Sequence, residues 1–263
     1  MTDVARRLSP RANLWIRRGL FLLGILVAWQ VLAWMGLWPA YIFPSPSAVA
    51  SSLLSGFSMG MFAKGILGSL GRLLQGYLIA TVIGLTLGLL LAQVRWLKET
   101  LGLVVMGLQA LPSICWLPLA LLWFGLNPQA ILFVVVMGSV LAISQATEDG
   151  VRNSPPVFIR AARNLGARGW QLYPYVILPA ALPSILTGMK LGWAFAWRSL
   201  MAGELLYALP GLGNLLMMGR ELNDMGQVVA VMLIIITLGL ASDQLVFGAL
   251  ERRARERWGL LAR

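Results

Sequence analysis

Residues 100–147 read TLGLVVMGLQALPSICWLPLALLWFGLNPQAILFVVVMGSVLAISQAT, 48 positions without an Asp, Glu, Lys or Arg. As one helix the stretch would be about 72 Å long, more than twice the roughly 30 Å of a bilayer's hydrocarbon core. It must therefore break. The breakers are Pro112, Pro118 and above all Gly125-Leu126-Asn127-Pro128. The stretch is read as two membrane-spanning helices, at about 100–123 and 129–147. Further apolar runs at 19–38 and 65–94 precede it, and others at 183–207 and 225–250 follow it. Each is long enough to cross a bilayer. The fold class is thus all-α, a polytopic membrane protein with six transmembrane helices. Composition agrees: 59% of residues are hydrophobic, 12% are charged, and the mean hydropathy is +0.78. A soluble domain of this length needs more charge to cover its surface.

An even number of spans puts both termini on one side, and the basic residues say which. Arg6, Arg7, Arg11, Arg17, Arg18, Arg95, Lys98, Arg152, Arg160, Arg163, Arg168 and the Arg252–Arg263 cluster all fall on the side assigned as cytoplasmic. Only Lys64, Arg72 and Arg220 fall outside, while Lys190 and Arg198 lie within the fifth span. This asymmetry is the positive-inside pattern. It also accounts for the net charge of +11 without a nucleic-acid partner. The run 19–38 follows Arg17-Arg18, as in a signal peptide. Its twenty uncharged residues exceed a typical signal core, so it is read as a retained first helix.

Outside the spans, the chain divides into an N-terminal cytoplasmic segment 1–18, a long outer loop 39–63, a cytoplasmic loop 148–182 and a basic tail 251–263. Pro39, Pro44 and Pro46 make the outer loop an irregular but ordered connection. Gly84 and Gly88 form a G-x-x-x-G pair on the second span. That pair reads either as a close helix contact or as the ordinary glycine content of membrane helices. The chain has no His and a single Cys, Cys115, which excludes an internal disulfide, a His/Cys metal site and a histidine general base. Catalytic residues and metal ligands are accordingly expected to be none. No G-x-x-x-x-G-K-[ST] phosphate loop is present, so this chain carries no nucleotide site of that kind.

The cytoplasmic loop is the longest polar connection between spans. Ser154 is placed to cap a helix with Pro155 or Pro156 in its first turn. Val157, Phe158, Ala161, Ala162 and Leu165 then share an apolar face, and Gly166 ends the helix. A second short helix is expected to end before Pro179. An amphipathic helix in this position either lies on the bilayer surface or docks into a groove of a soluble partner.

Here the sequence resembles a known family. The pattern Ala161-Ala162-x-x-x-Gly166, nine residues, then Val176-x-Leu178-Pro179 is similar to the "EAA" loop of ABC importer permeases. Arg160 stands where that family has Glu, and Val176 where it has Ile. Docking is therefore expected to rest on the Ala161/Ala162 face and Gly166 rather than on the first charge. Further stretches resemble the nitrate/sulfonate/taurine permease subfamily: 43–49 (FPSPSAV), 117–125 (LPLALLWFG), 178–188 (LPAALPSILTG), Gly211-Leu-Gly213, and Asp243 followed by Glu251-Arg-Arg. The resemblance implies a type I ABC importer permease fold and a permease homodimer in a bacterial cytoplasmic membrane. It also implies a cytoplasmic ATPase that binds ATP and its Mg²⁺, and an extracytoplasmic solute-binding protein. This chain would hold no cofactor of its own. It would be a permease subunit rather than an enzyme, passing a small anionic solute such as nitrate, a sulfonate or taurine.

Ionisable residues inside spans are candidates for the translocation pathway. Arg198 sits near the middle of the fifth span and Glu204 nearer its outer end, with Gln109 a weaker uncharged candidate. Arg198 either meets an anionic solute or forms a structural ion pair. Its spacing from Glu204 does not favour a pair on one helix. Asp243 is read as a structural group near Arg252 and Arg253, and most tryptophans as interfacial anchors. The competing reading is an ATP-independent secondary transporter or channel, in which Arg198 and Glu204 couple ions or gate.

Overall fold

A computed structural model describes residues 10–206 and 209–257. Every regular element in them is helical. In chain order these are α1 (Pro10–Trp34), α2 (Pro46–Ser58), α3 (Met61–Gln93), α4 (Arg95–Leu97), α5 (Leu103–Gln109), α6 (Leu117–Phe124), α7 (Pro128–Arg152), α8 (Pro156–Asn164), α9 (Leu178–Leu206), α10 (Leu212–Glu221), α11 (Met225–Ser242) and α12 (Gly248–Arg257). Single π turns join α4 to α5, lead into α9 and join α11 to α12. Among the described residues five helices are long and apolar enough to cross a membrane, six if one bent pair counts as a span. Positions 1–9 of the expected N-terminal segment and 258–263 of the tail lie outside the described residues.

The core is a slab of three helices with α7 in the middle. Ile131, Val134, Val135 and Ile143 of α7 are fully buried between α3 and α9. Water does not drive helices together within a bilayer, so close van der Waals packing must, and small residues permit it. A side chain on Gly84 would meet Ile143 and the Val140 carbonyl at 2.9 Å, and one on Gly88 would strike the Ser144 carbonyl. The G-x-x-x-G pair is thus a helix contact. Gly188 and Gly192 of α9 approach Ala146 and Ile143 from the other side of α7.

Three expectations about elements need correction. The third span, expected as one helix over 100–123, is broken: the arms Arg95–Gln109 and Ser113–Phe124 meet at 104°. Pro112 has no N–H to donate, and the residue before it is disfavoured in helical geometry. The break therefore falls at Ala110–Pro112, whereas Pro118 is tolerated in the first turn of α6. The outer loop is not irregular throughout, because it contains α2. Ser45 caps that helix by accepting the Ala48 N–H at 3.2 Å, with Pro46 in the first position. The fifth span begins at Leu178 rather than 183. Pro179 lies in its first turn and Pro183 inside it, and the short helix expected before Pro179 is a 3-10 turn at Gly169–Gln171 followed by the π turn Tyr173–Ile177 that leads into α9.

α1 starts well before Gly19, and no residue of its membrane-length portion is fully buried. Its tether is Trp29, whose indole N–H donates to the Pro44 carbonyl at 2.9 Å.

Candidate functional site

The cytoplasmic loop folds around α8. Its N-terminal neighbour Pro155 adopts extended geometry (φ −56°, ψ 124°) and starts the helix without a side-chain cap. Ser154 does not cap α8, contrary to expectation. It follows the end of α7, where its hydroxyl donates back to the Gly150 carbonyl at 3.1 Å. At the other end, Gly166 takes φ +94°, and two hydrogen bonds close the helix: Gly166 N–H to Arg163 O and Ala167 N–H to Ala162 O, both 3.0 Å. This paired closure is the Schellman geometry, and it favours glycine because a side chain at positive φ is strained.

The face expected to dock is open. Val157, Phe158 and Leu165 are 58%, 46% and 89% exposed. Arg160 and Ala161 are exposed and Ala162 is half-buried. Val176, Leu178 and Pro179 do something else. They lie on the π turn and the start of α9, and Leu178 packs against Val151, Ala181 and Ile185. One half of the motif offers a helix, and the other half fixes that helix to two core spans.

The intramembrane ionisable residues separate into three settings. Glu204 is fully buried and sits at the centre of a polar network between α3, α9 and α10. Arg72 on α3 donates to its Oε1 from Nε at 3.0 Å and Nη2 at 2.6 Å. The Ser69 hydroxyl donates to the same carboxylate at 2.7 and 2.9 Å. The Gly213 N–H donates to Oε2 at 3.0 Å, and the Leu212 N–H donates to Ser69 Oγ at 2.8 Å. Gly211, the residue before α10, has no side chain with which to cap that helix. Ser69 and Glu204 cap it from α3 and α9 instead, placing negative charge at its positive end. Arg72 also donates to the Pro210 carbonyl at 2.7 Å, tying the loop before α10 to α3.

Lys190 pairs with Asp243 at 3.1 Å and approaches Glu251 at 3.9 Å. Asp243 therefore has Lys190 as its cation rather than Arg252 or Arg253. Arg198 is exposed, with its guanidinium 5.3 Å from the Phe195 ring centre, and lines an open groove of about 790 Å³ along α9. Gln109 ends α5, exposed and away from that groove. Gln145 lines a separate polar cavity of about 840 Å³ at the cytoplasmic end, where Lys98 and Arg152 pair with Glu148 at 2.6 and 3.4 Å.

Sequence reasoning missed Ser69 and Arg72. Their spacing of three puts both beside the buried Leu73 on one face of α3, but nothing local points to a partner 132 residues away. Trp193 and Trp197 stand one turn apart in mid-span and line the groove. Among the described residues no cluster of His, Cys, Asp and Glu has a metal-binding arrangement.

Comparison with known proteins gives a consistent result. Residues 80–256 match the family described as binding-protein-dependent transport system inner membrane component. The riboflavin transport system permease protein RibX of Chloroflexus aurantiacus is 34% identical over 94% of this chain and 94% of its own length. The putative aliphatic sulfonates transport permease protein SsuC of Escherichia coli is 32% identical over 89% of each. Among solved structures, a chain of the MetNI methionine ABC transporter in an inward-facing conformation superposes with a TM-score of 0.62. That chain is 22% identical and covers 75% of this chain and 97% of its own. The last likeness establishes the fold.

Proposed function

The chain belongs to the binding-protein-dependent inner membrane transport components, among the nitrate/sulfonate/taurine-type ABC permeases, and on that premise we propose that it is the translocation subunit of an ATP-driven importer for a small organic or inorganic anion. It is a multi-pass permease and not itself an ATPase. In this reading two copies form the pathway in a bacterial cytoplasmic membrane. A solute-binding protein delivers the anion outside, and a cytoplasmic ATPase docks on α8.

The observation that carries the proposal is α8 itself: an amphipathic helix with Phe158 and Ala161 exposed, started at Pro155 and closed by the paired hydrogen bonds at Gly166. Three residues separate it from the end of α7, and a short connection with a 3-10 turn and the π turn leads from it into α9. A push on α8 therefore moves the two most closely packed spans together. Arg160 offers a cation to that interface, and the small Ala161 and Ala162 let the helix seat deeply in a groove.

The test is paired. Phe158→Asp is expected to leave membrane abundance unchanged while abolishing co-purification of an ATPase and ATP-dependent uptake into right-side-out vesicles loaded with ATP. Uptake by the chain alone, without ATP or an ATPase, would establish the ion-coupled transporter or channel instead.

A further inference from the structure

We propose that the cavity between the start of α9 and α12 holds the headgroup of a zwitterionic aminophospholipid, phosphatidylethanolamine, and prefers it to phosphatidylcholine and phosphatidylglycerol. The inference goes beyond the importer reading and needs only that the chain spans a bilayer.

Helix contacts set the depth of the cavity. Arg72 of α3 meets Glu204 towards one end of the bundle. From there to the end of α3 at Gln93 the helix rises about 32 Å, close to the roughly 30 Å of a hydrocarbon core. Gly88 lies against Ser144 and Thr147 of α7, and Gly150 lies against Ala181 and Ser184 of α9. The level of Gln93, where hydrocarbon gives way to headgroups, is therefore also the level of positions 181–184. The cavity, of about 570 Å³, is lined there by Leu182 and Leu186 of α9 and by Leu250, Arg253, Ala254 and Glu256 of α12. Leu186 and Leu250 lie towards the hydrocarbon. Arg253 and Glu256 follow one or two turns further along α12, at headgroup height.

The two charges give the cavity its selectivity. Both side chains are exposed, and among the described residues neither has an ion-pair partner, the other included. A base placed before an acid is the less favourable order for a pair along one helix. Nearby charges are already spent. Glu251 has Lys190 at 3.9 Å, and in the polar cavity at the same depth Lys98 and Arg152 both pair with Glu148. Arg253 and Glu256 thus stand as one free cation and one free carboxylate, about 5–6 Å apart at their Cβ atoms. A phosphate and an ammonium joined by two carbons match that spacing. Arg253 suits the phosphate, to which a guanidinium can donate twice, and Glu256 suits the ammonium, whose N–H groups make charge-assisted bonds. Choline has no N–H, so phosphatidylcholine loses the second interaction. Phosphatidylglycerol brings a phosphate but no amine, and leaves the Glu256 charge unanswered. A headgroup seated here bridges α12 to the early turns of α9.

The experiment places the full chain in nanodiscs of phosphatidylethanolamine, phosphatidylcholine and phosphatidylglycerol in equal parts, and identifies the lipid retained on release by native mass spectrometry. Phosphatidylethanolamine should be retained over phosphatidylcholine by about fivefold, the upper end for an exposed charge pair. Glu256→Gln should bring that ratio to about one and raise the share of phosphatidylglycerol, whereas Arg253→Gln should lower retention of all three. Both residues are exposed, so neither change should unsettle the fold. Arg252→Gln alters the net charge of α12 equally but lies outside the cavity lining, and should leave the ratio unchanged. No preference in the unmodified chain, a preference for phosphatidylglycerol, or a ratio lost equally in Arg252→Gln would overturn the proposal. Displacement by free O-phosphoethanolamine would do so too, by assigning the cavity to a soluble phosphoamine. In a Cys115→Ser background, disulfide formation between two Glu256→Cys chains, with no lipid retained by the unmodified chain, would give the place to a second copy. None of these outcomes involves an ATPase, so the importer reading stands or falls separately.

Discussion

Replacing Arg72 with Met removes the cation from a carboxylate that water does not reach. Glu204 is fully buried, while the Arg72 side chain is 14% exposed, so the two partners are not equivalent. Without Arg72 the carboxylate keeps the Ser69 hydroxyl and the Gly213 N–H, two neutral donors against a full charge. The Pro210 carbonyl also loses its donor. Breaking a buried ion pair from one side costs about 3–5 kcal/mol, because the remaining charge is left uncompensated. Glu204→Gln should cost less. It removes the buried charge, and the orphaned guanidinium can turn its exposed edge toward water or headgroups. The double variant Arg72→Met/Glu204→Gln leaves no bare buried charge and should recover most of the loss. A double-mutant cycle of unfolding in mixed SDS micelles is the assay, with an expected coupling of about 2–3 kcal/mol. Coupling below about 0.5 kcal/mol, or a double variant as unstable as Arg72→Met alone, would refute the account. Limited proteolysis of the α9–α10 connection adds a local readout, since α10 loses its caps when the network fails.

Other substitutions test the packing and the loop. Gly88→Val drives methyl groups into the Ser144 backbone and should destabilise the fold by about 1–3 kcal/mol, seen as loss of folded chain on heating in detergent. Gly71→Val, with nothing within 4 Å, is the control expected to be close to neutral. Gly166→Ala forces a side chain into positive φ at a cost of about 1–2 kcal/mol, fraying α8. It should reduce ATP-dependent uptake at normal abundance, with Gly166→Asn retaining more activity than Gly166→Ala. Equal uptake in all three chains would remove the cap from the coupling argument.

How much could be read in advance depended on the range of each interaction. Hydropathy located the spans because burial in lipid is a property of a contiguous run. The α8 segment was legible for a related reason: its apolar spacing, the prolines before it and Gly166 after it all act within one or two turns. Even there Ser154 misled, since both its capping and its back-bonding geometries are local and only the continuation of α7 chose between them. The kink at Ala110–Pro112 was harder. Pro112 and Pro118 look alike in sequence, and the difference is which one falls in a first turn. The α2 helix was overlooked because Ser45-Pro46 was read as loop composition instead of a cap followed by a first helical residue.

By itself, the sequence determined that this chain lives in a bilayer and which segment resembles the permease motif. These follow from composition and short-range periodicity, to which lipid and local backbone geometry respond directly. Only the tertiary structure decided what the intramembrane charges do. Glu204 became a buried cap for α10 because α3 carries Ser69 and Arg72 to it across the fold. Lys190 was neutralised by a helix end more than fifty positions away. Arg198 was left without a carboxylate within ion-pair distance among the described residues, stacked over Phe195. A charge in a low-dielectric interior takes its meaning from whichever group is brought within a few ångströms, and that depends on helix packing between distant segments rather than on neighbours in the chain.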